Sequence, residues 1–572
     1  MVLVVVALAP LWLVGILGRG LWTPDEPREA DIAWRMSLQS DRTLPQLAGV
    51  PFLEKPPLTY WMSAAAIAAL GDSAAAARTP NLLYVLLTAL SIGYLALALG
   101  LDLLPAVLAV LVAGSALLCL RVGIWLAPDA ALVAGNALAL LGIWRGYTAA
   151  PGWEKLRGYG LMHLGAAIGF MAKSAPGWLV PGLALLVLIV WERRWSELRR
   201  PELYAGLLLQ ALIIGPWVAC VTSTAQGSEA VRTLFWNNIV GRFVQVPAPA
   251  ALDYTNGHRN RVGKYLLELP FYLLPWTLVA AAALRSAWRH ARTPEAAGRP
   301  WRFALAGCVP FLAILSLAAT ARDVYAAPVL LGIAVLVGLW LQQVREPLDA
   351  FDRFCISGTR VLVAFLAVVF IAAIAVFGLS RTVDTPGCVV LGVAILGTGV
   401  LSWLRSSQAQ RRADPGRCLA WSYTGYAAAV CLTALIVLPV IDQWQNLGGL
   451  ARRIRADTPA QQLVLLDPDE TTLAVLDHGF ITPVAALLSG ACGKECAVRD
   501  WFATHPPSGR VLVLLPGHAS GKLRRWLARL HTDSDPGDGV AAVLVDAGAA
   551  RLVQRYELPQ GRRYALLGPP VN

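Results

Sequence analysis

The sequence predicts an all-α membrane protein with many spans, followed by a small α/β domain at its C-terminal end. Of its 572 residues, 57% are hydrophobic and only 15% are charged, whereas soluble domains carry about 25% charged residues. Apolar runs of about 20 residues, long enough to cross a bilayer as helices, recur up to residue 440. After Pro439 the composition becomes that of a soluble protein. We therefore predict a transmembrane domain over 1–440 and an α/β domain over 441–572.

The helical part contains thirteen apolar runs that are candidates for membrane spans. The first run lacks a positively charged start and a small-residue cleavage site, so we predict a membrane anchor and not a cleaved signal peptide. A fourteenth run, 58–70, is short and follows Lys55-Pro56-Pro57, so we predict that it lies at the membrane interface. The thirteen candidates are 1–18, 80–99, 104–122, 126–145, 158–172, 175–191, 203–222, 266–284, 303–320, 324–342, 360–379, 386–404 and 419–438.

Loop charges predict the orientation of these helices. Alternate loops, such as 192–200 and 285–302, are rich in Arg and poor in acids, which is typical of cytoplasmic loops. The long loops 22–79 and 223–265 and the C-terminal domain then face outward. The net charge of +12 comes largely from this arrangement and predicts anionic lipid headgroups as partners. No nucleic-acid motif accompanies the charge, so we expect no nucleic acid.

The C-terminal domain shows β-like runs separated by helical and Gly/Pro-rich pieces, which predicts a small α/β fold. Cys492 and Cys496 are predicted to close a disulfide loop; a metal site is the weaker alternative because no second ligand pair is nearby. The stretch 517–522 lacks the spacing of a phosphate loop, so we predict an ordinary turn there. The predicted strands are 463–466, 511–515, 540–545 and 564–567.

Charged residues cluster in the first outward loop. Asp25, Glu26 and Arg28 follow the first apolar run directly, and Glu54 and Lys55 form a second group further along. Residues 27–40 have helical spacing, which predicts an interfacial helix. Carboxylates at the edge of a membrane, beside apolar helices, are candidates for a functional site.

Other ionisable residues recur on the same predicted side of the membrane. Asp129 stands at a helix start, where capping is the structural alternative, and Lys173 stands between two apolar runs, where a snorkelling lysine is the alternative. Arg242 lies in the long loop 223–265, which we predict to be a lid. Arg322 and Tyr325 occupy a tight turn. Each of these residues on its own is explained as an ordinary surface or interface charge. Their recurrence on one side of the membrane, however, predicts that they line one shared cavity.

Acidic groups surrounded by Arg, Lys and Tyr at a membrane surface fit a lipid phosphate substrate. Guanidinium and ammonium groups bind phosphate without a metal and stabilise the charge on a departing phosphate, while a carboxylate orients or deprotonates the partner. A glycolipid transporter is an alternative, but transporters place ionisable residues at mid-membrane on broken helices. A non-catalytic membrane scaffold is a third alternative, for which Asp25→Asn would be silent.

The order of these motifs resembles the bacterial aminoarabinose transferases, within the polyprenyl-phosphate-sugar glycosyltransferases that include protein mannosyltransferases. The resemblance is specific over residues 1 to about 345 and architectural beyond. The matching motifs are the acidic pair Asp25-Glu26, Phe52-Leu53-Glu54-Lys55-Pro56-Pro57, Pro128-Asp129, Ala172-Lys173-Ser174-Ala175-Pro176-Gly177, Arg242-Phe243, Pro270-Phe271-Tyr272 with Pro275-Trp276, and Ser316 with Arg322, Tyr325 and Pro328.

The resemblance implies a GT-C fold in the bacterial inner membrane, with the active site and the C-terminal domain in the periplasm. It implies an inverting transfer of 4-amino-4-deoxy-L-arabinose from undecaprenyl phosphate to a lipid A phosphate. Transfer of another sugar from a polyprenyl phosphate to a lipid, glycan or protein acceptor is the alternative within the same chemistry.

The resemblance also implies roles for particular residues. Asp25 would be the essential carboxylate, supported by Arg28. The sugar and acceptor pocket would be lined by Glu54, Lys55 and Asp129, and the donor phosphate would be held by Lys173, Arg242 and Tyr325, with Arg322 beside them.

The chain departs from the family pattern at two points. Asn237 and Asn238 replace a Glu-His pair that relatives often carry, and Arg322-Asp323 replaces a common Lys-Arg pair. Because the potential ligands at the first point are missing, we predict no metal and no cofactor. At the second point we expect weaker phosphate binding or a different donor.

Overall fold

The computed structural model shows a predominantly helical chain that divides into two compact units. The first unit comprises Met1–Gly18, Asp41–Pro45 and Phe52–Val437, and the second comprises Arg19–Ser40, Gln46–Pro51 and Leu438–Asn572. The residues that the structure describes are 2–237, 261–293, 296–318, 322–344, 348–379, 384–458, 462–480, 484–505, 508–515, 539–558 and 561–570.

The described part of the first unit is built from helices alone. Its α-helices are α1 (Val2–Leu17), α3 (Leu58–Leu70), α4 (Ala74–Arg78), α5 (Pro80–Ala98), α6 (Leu103–Ser115), α7 (Leu117–Ile124), α8 (Asp129–Thr148), α9 (Trp153–Lys173), α10 (Pro176–Trp191), α11 (Pro201–Thr222), α12 (Gly227–Val231), α13 (Lys264–Tyr272), α14 (Thr277–His290), α15 (Arg299–Ala306), α16 (Val309–Leu317), α17 (Ala327–Gln343), α18 (Ala350–Leu379), α19 (Thr385–Arg411) and α20 (Pro415–Trp444), whose residues from Leu438 onward belong to the second unit.

Many of these helices are apolar enough to cross a membrane, so the chain is a multi-pass membrane protein. Among the described residues, seven helical segments have the required length and composition, or nine if each of two bent helix pairs forms one span. All thirteen predicted runs contain helix, but the number thirteen stays a prediction. Helix α3 occupies the predicted segment 58–70, and its position at the interface stays a prediction as well.

Two of the predicted runs are each divided into two helices that meet at a sharp bend, which the sequence analysis did not predict. The run 104–122 divides into α6 and α7, which meet at 60°, and the run 266–284 divides into α13 and α14, which meet at 120°. Pro275 lies at the second break, where its ring cannot continue a helix. The backbone N–H of Leu117 donates to the carbonyl of Leu274 at 2.8 Å. This hydrogen bond joins the two breaks and satisfies backbone groups that have no partner within the helices. An apolar environment requires such partners, because it contains no water to supply them.

Helices α8 and α9 lie against each other at backbone distance. Gly135, Gly142 and Gly158 permit this approach, because a Cβ at Gly142 would lie 2.1 Å from the backbone nitrogen of Met162. Small residues at such contacts allow membrane helices to pack closely. The N-terminal end of α8 and the C-terminal end of α9 are thereby brought together.

We expect Gly142→Ala to destabilise the protein, because a backbone atom of α9 would have to move away from the new methyl group. Overpacking of this kind costs about 1–3 kcal/mol. The matched control is Gly182→Ala in α10, where the added methyl group would meet no atom within 4 Å beyond its chain neighbours and the nearby backbone of its own helix. Thermal unfolding of both variants in detergent tests this prediction, and equal melting temperatures for the two would contradict it.

The second unit contains a five-stranded mixed sheet in the order β4-β3-β5-β7-β6, in which β3 pairs in parallel with β4 and β5, and β7 runs antiparallel to β5 and β6. A two-stranded antiparallel ribbon, β1 with β2, belongs to its N-terminal segments. Its elements are α2 (Glu26–Leu38), β1 (Gln46–Leu47), β2 (Val50–Pro51), α21 (Leu447–Asp457), β3 (Leu463–Leu466), α22 (Glu470–Phe480), β4 (Ala485–Leu487), α23 (Gly493–Thr504), β5 (Arg510–Leu515), α24 (Val540–Asp546), β6 (Arg551–Glu557) and β7 (Arg563–Gly568).

Three of the four predicted strands are present as β3, β5 and β7. The predicted strand at 540–545 is wrong, since these residues form helix α24; a short apolar run does not distinguish a buried helix from a strand. Strand β6 was missed because only Tyr556 among its residues is buried. Cys492 and Cys496 form the predicted disulfide, with their Cα atoms 5.7 Å apart. The stretch 517–522 lies outside the described residues.

The grouping of the N-terminal segments was not predicted. Residues 19–40 and 46–51, which the sequence analysis assigned to a loop of the membrane domain, form one compact unit with the C-terminal residues. The division into domains at residue 440 stays a prediction. The helix predicted from the helical spacing of residues 27–40 is, however, confirmed as α2.

Candidate active site

Asp129, Lys173 and Tyr325 come together in the first unit. The Lys173 ammonium forms an ion pair with the Asp129 carboxylate and lies 4.2 Å from the centroid of the Tyr325 ring. Only 14% of the Lys173 side chain and 7% of the Asp129 side chain are exposed. The lysine side chain is therefore not extended into solvent, and three of the predicted cavity residues share one cluster.

The ion pair also suits the ends of the helices that carry it. The N-cap position of α8 is occupied by Pro128, and Asp129 is the first residue of the helix, so Asp129 is not the N-cap. Lys173 is the last residue of α9. A negative charge at a helix start and a positive charge at a helix end each interact favourably with the helix dipole.

The chain reverses immediately after Lys173. Ser174 adopts a positive φ of 61°, a conformation that non-glycine residues rarely take. Pro176 begins α10, where its fixed φ suits a first turn. A Cβ at Gly177 would lie 2.1 Å from the backbone nitrogen of Phe170. This tight turn fixes the C-terminal end of α9 and hence the position of the Lys173 backbone, from which the side chain extends.

Tyr325 is held by a short 3-10 helix, Asp323–Ala326. Its backbone N–H donates to the carbonyl of Arg322 at 3.1 Å, and the same carbonyl accepts the hydroxyl of Tyr265 at 2.9 Å. Asp323 forms an ion pair with Arg121 in which both side chains are substantially exposed. The backbone of Arg322 therefore anchors the turn that carries Tyr325, and the side chain of Arg322 is half-buried.

Glu54 and Lys55 lie in the turn between β2 and α3, and both are half-buried. The Lys55 ammonium is 5.7 Å from the centroid of the Phe52 ring. Leu53, next to Glu54, packs in a hydrophobic cluster that includes Met171, two residues before Lys173. Because Leu53 and Met171 belong to the same hydrophobic cluster, the turn that carries Glu54 and Lys55 packs near the C-terminal end of α9.

Arg28 forms the centre of a second charged group, in the second unit. Its guanidinium donates to Glu470 at 2.5 Å, to Glu29 at 3.0 Å and to Asp25 at 3.3 Å. The Arg28 side chain is 9% exposed and that of Asp25 is 21% exposed. The predicted pair of Asp25 and Arg28 is thus in contact, with two further carboxylates on the same cation.

The segment before Asp25 is tied down by polar contacts within the second unit. Glu26 accepts two hydrogen bonds from Arg19, at 2.5 and 2.7 Å, and both side chains are fully buried. Asp442 accepts the backbone N–H of Gly20 at 2.9 Å and the indole N–H of Trp22 at 2.6 Å. These contacts fix the backbone that leads to Asp25.

Sequence reasoning missed Glu470, Asp442 and Arg19. The two acids lie more than 400 residues from their partners, and no periodicity or motif in the sequence relates such distant positions. Arg242 and Asn238 lie outside the described residues, so their predicted roles stay predictions.

The sequence and the fold of this chain are similar to those of known proteins. A profile of the family described as dolichyl-phosphate-mannose-protein mannosyltransferase matches residues 54–219. The undecaprenyl phosphate-alpha-4-amino-4-deoxy-L-arabinose arabinosyl transferase of Pseudomonas paraeruginosa is 28% identical over 98% of this chain and 96% of its own length. The enzyme of the same name from Edwardsiella ictaluri is 30% identical over 58% of this chain and 57% of its own length.

The crystal structure of ArnT from Cupriavidus metallidurans bound to undecaprenyl phosphate has the same fold. The TM-score is 0.67 at 18% identity, and the match covers 99% of this chain and 97% of that one. The sequence comparisons and this shared fold together indicate a membrane glycosyltransferase that uses a polyprenyl-phosphate sugar. Within this class the predicted resemblance is confirmed: the chain is similar over 98% of its length to an aminoarabinose transferase and shares the fold of ArnT.

Proposed function

We propose that this protein transfers 4-amino-4-deoxy-L-arabinose from undecaprenyl phosphate to a lipid A phosphate on the periplasmic side of the bacterial inner membrane. The observation that carries the proposal is similarity along 98% of the chain to enzymes named for that arabinosyl transfer. The multi-pass helices are consistent with a lipid-linked donor and a lipid acceptor.

In this reaction an oxygen of the acceptor phosphate attacks the anomeric carbon of the sugar, with inversion. The bond between that carbon and the donor phosphate breaks, and undecaprenyl phosphate leaves with the bonding electron pair. Negative charge grows on the departing phosphate, and a fixed cation in a poorly hydrated site stabilises such charge strongly. Lys173, supported by Tyr325 and Arg242, would supply this stabilisation.

Asp129 gives Lys173 a partner before the donor binds. A buried ammonium without a counter-charge is costly, so the carboxylate offsets that cost and holds the Lys173 side chain in place. Glu54 and Lys55, in the neighbouring turn, would contact the sugar and the acceptor. Arg322 would lie beside the donor phosphate.

Asp25 would act through charge and orientation. An acceptor phosphate is already ionised near neutral pH and needs no general base, whereas a hydroxyl acceptor would need one. With a phosphate acceptor, Asp25 would bind the amine of the sugar or hold Arg28, which it already contacts at 3.3 Å.

Mass spectrometry of lipid A from a transferase-deficient host that expresses this protein tests the proposal. We expect an added aminoarabinose mass with the wild type and with Asp41→Asn, an exposed carboxylate that caps the N–H of Thr43. We expect no added mass with Asp25→Asn, at equal protein levels. Unmodified lipid A with folded wild-type protein would refute this acceptor and sugar, and transfer of a different sugar or to a different acceptor would then be sought.

A further inference from the structure

Helices α2 and α22 of the second unit enclose three charged side chains, those of Asp31, Arg35 and Asp477. Both carboxylates are completely buried. The Arg35 guanidinium donates through Nη2 to Oδ2 of Asp477, and its Nε lies 3.7 Å from Oδ2 of Asp31. The same Asp31 oxygen accepts the backbone N–H of Ala48 at 2.9 Å.

Among the residues that the structure describes, none donates to the other oxygen of either carboxylate. Oδ1 of Asp31 and Oδ1 of Asp477 are both buried and accept no hydrogen bond within the described part of the chain. Two ionised carboxylates with one guanidinium would also leave a net negative charge away from water, which is costly. Carboxylates that share a site avoid this cost when one of them keeps its proton.

We propose that Asp31 and Asp477 share one proton between their Oδ1 atoms, and that this pair is a positioning element that fastens α2 to α22. The proton supplies the missing donor to both oxygens and leaves one cation with one anion. Helix α2 begins directly after Asp25, and its first turn carries Arg28. The effect on catalysis therefore rests on the proposed function, whereas the shared proton does not.

The surroundings of the pair agree with this arrangement. Burial, and then the charge of Asp477, raise the pKa of Asp31 to about 8, against the lowering effects of the Ala48 N–H and of Arg35. On α22 the neighbouring His478 ring stacks on Trp34, with centroids 4.7 Å apart.

The same two helices also carry a charged contact between Arg28 and Glu470. These two side chains form their own ion pair nearer the start of each helix. The charged groups that act on Asp31 are therefore Asp477 and Arg35.

A carboxyl whose pKa is raised on folding makes stability depend on pH. Between its ordinary pKa of 3.8 and about 8, the folded chain holds one more proton than the unfolded chain. The unfolding equilibrium therefore shifts toward the unfolded state by up to about tenfold per pH unit in this range. The contribution of the pair is lost as the pH rises through about 8.

The test uses the purified full chain in detergent, from about pH 6 to pH 9. Infrared spectroscopy reports the carbonyl band of a protonated carboxylic acid, and thermal unfolding reports stability. We expect the wild type to show a band that disappears near pH 8 and a melting temperature that falls with pH. Asp31→Asn, whose amide can donate to Asp477 in place of the proton, should lack this band and have a flatter stability profile.

Asp477→Asn is the second variant, because it removes the other half of the pair and should also abolish the band. Asp546→Asn is the matched control, since Asp546 is an exposed carboxylate of the same unit, and it should behave as the wild type. A wild type without the band at pH 6, or a band that persists in Asp31→Asn, would overturn the shared proton.

Transferase assays across the same pH range test the positioning role. We expect kcat of the wild type to fall above about pH 8 and this step to be absent in Asp31→Asn. Superimposable pH profiles of kcat would overturn the positioning role. If no variant transfers sugar, the proposed function fails while the spectroscopic result still decides whether the proton is shared.

Discussion

Lys173→Met is expected to reduce transferase activity by about 100-fold or more, since loss of a single group that stabilises developing charge costs about 10²–10³ in kcat. Methionine has a similar length but no charge, so the loss would reflect the missing ammonium. The variant also leaves Asp129 as a buried carboxylate without its cation. Loss of one partner from a buried ion pair destabilises a protein by about 3–5 kcal/mol.

The double variant Asp129→Asn/Lys173→Met separates these two effects. The double variant has neither charge and so avoids the cost of a buried charge without its partner. We therefore expect the melting temperature to recover toward that of the wild type while the activity stays low. The measurements are thermal unfolding and donor turnover in detergent. Recovery of activity together with stability would show that Lys173 serves only the fold.

Arg28→Met is the second change with a large expected effect. It removes the cation that Asp25, Glu29 and Glu470 share, so that three carboxylates in a largely buried group would repel one another. We expect loss of detectable lipid A modification and a lower melting temperature. Arg28→Lys should restore only part of either, because an ammonium cannot reproduce the planar fork of a guanidinium.

Arg157→Met serves as the control, because Arg157 forms an exposed i,i+3 pair with Glu154 in which both side chains are more than 60% exposed. Exposed pairs contribute about 0–1 kcal/mol. We expect this variant to retain both stability and modification. A similar loss in both arginine variants would indicate a general effect of removing a positive charge.

The sequence predicted the helical membrane part well, because a long apolar run has few alternatives to a helix in a bilayer. It did not predict the breaks inside 104–122 and 266–284. Composition reports how apolar a run is, but the break near Pro275 is accommodated by the pairing of Leu117 with Leu274, which are 157 residues apart in the chain. Contacts of this kind are set by the tertiary fold.

The candidate site was predicted in part for a similar reason. Local motifs indicated Asp25, Asp129 and Lys173, and the structure joins the latter two in one ion pair. The motifs could not identify Glu470 as a partner of Arg28, because a soluble-looking tail contains many acids and the sequence gives no reason to select one. The buried pair of Asp31 and Asp477 was missed for the same cause.

The close packing of α8 and α9 has a consequence for how such an enzyme could change its substrate. Where two helices meet through glycine backbones, backbone contacts restrict sliding and tilting, so they largely set the distance between the ends that carry Asp129 and Lys173. Side-chain substitutions elsewhere cannot retune that distance. A change of sugar or acceptor would therefore have to arise in the loops and turns around this fixed pair, and the pair itself would be retained.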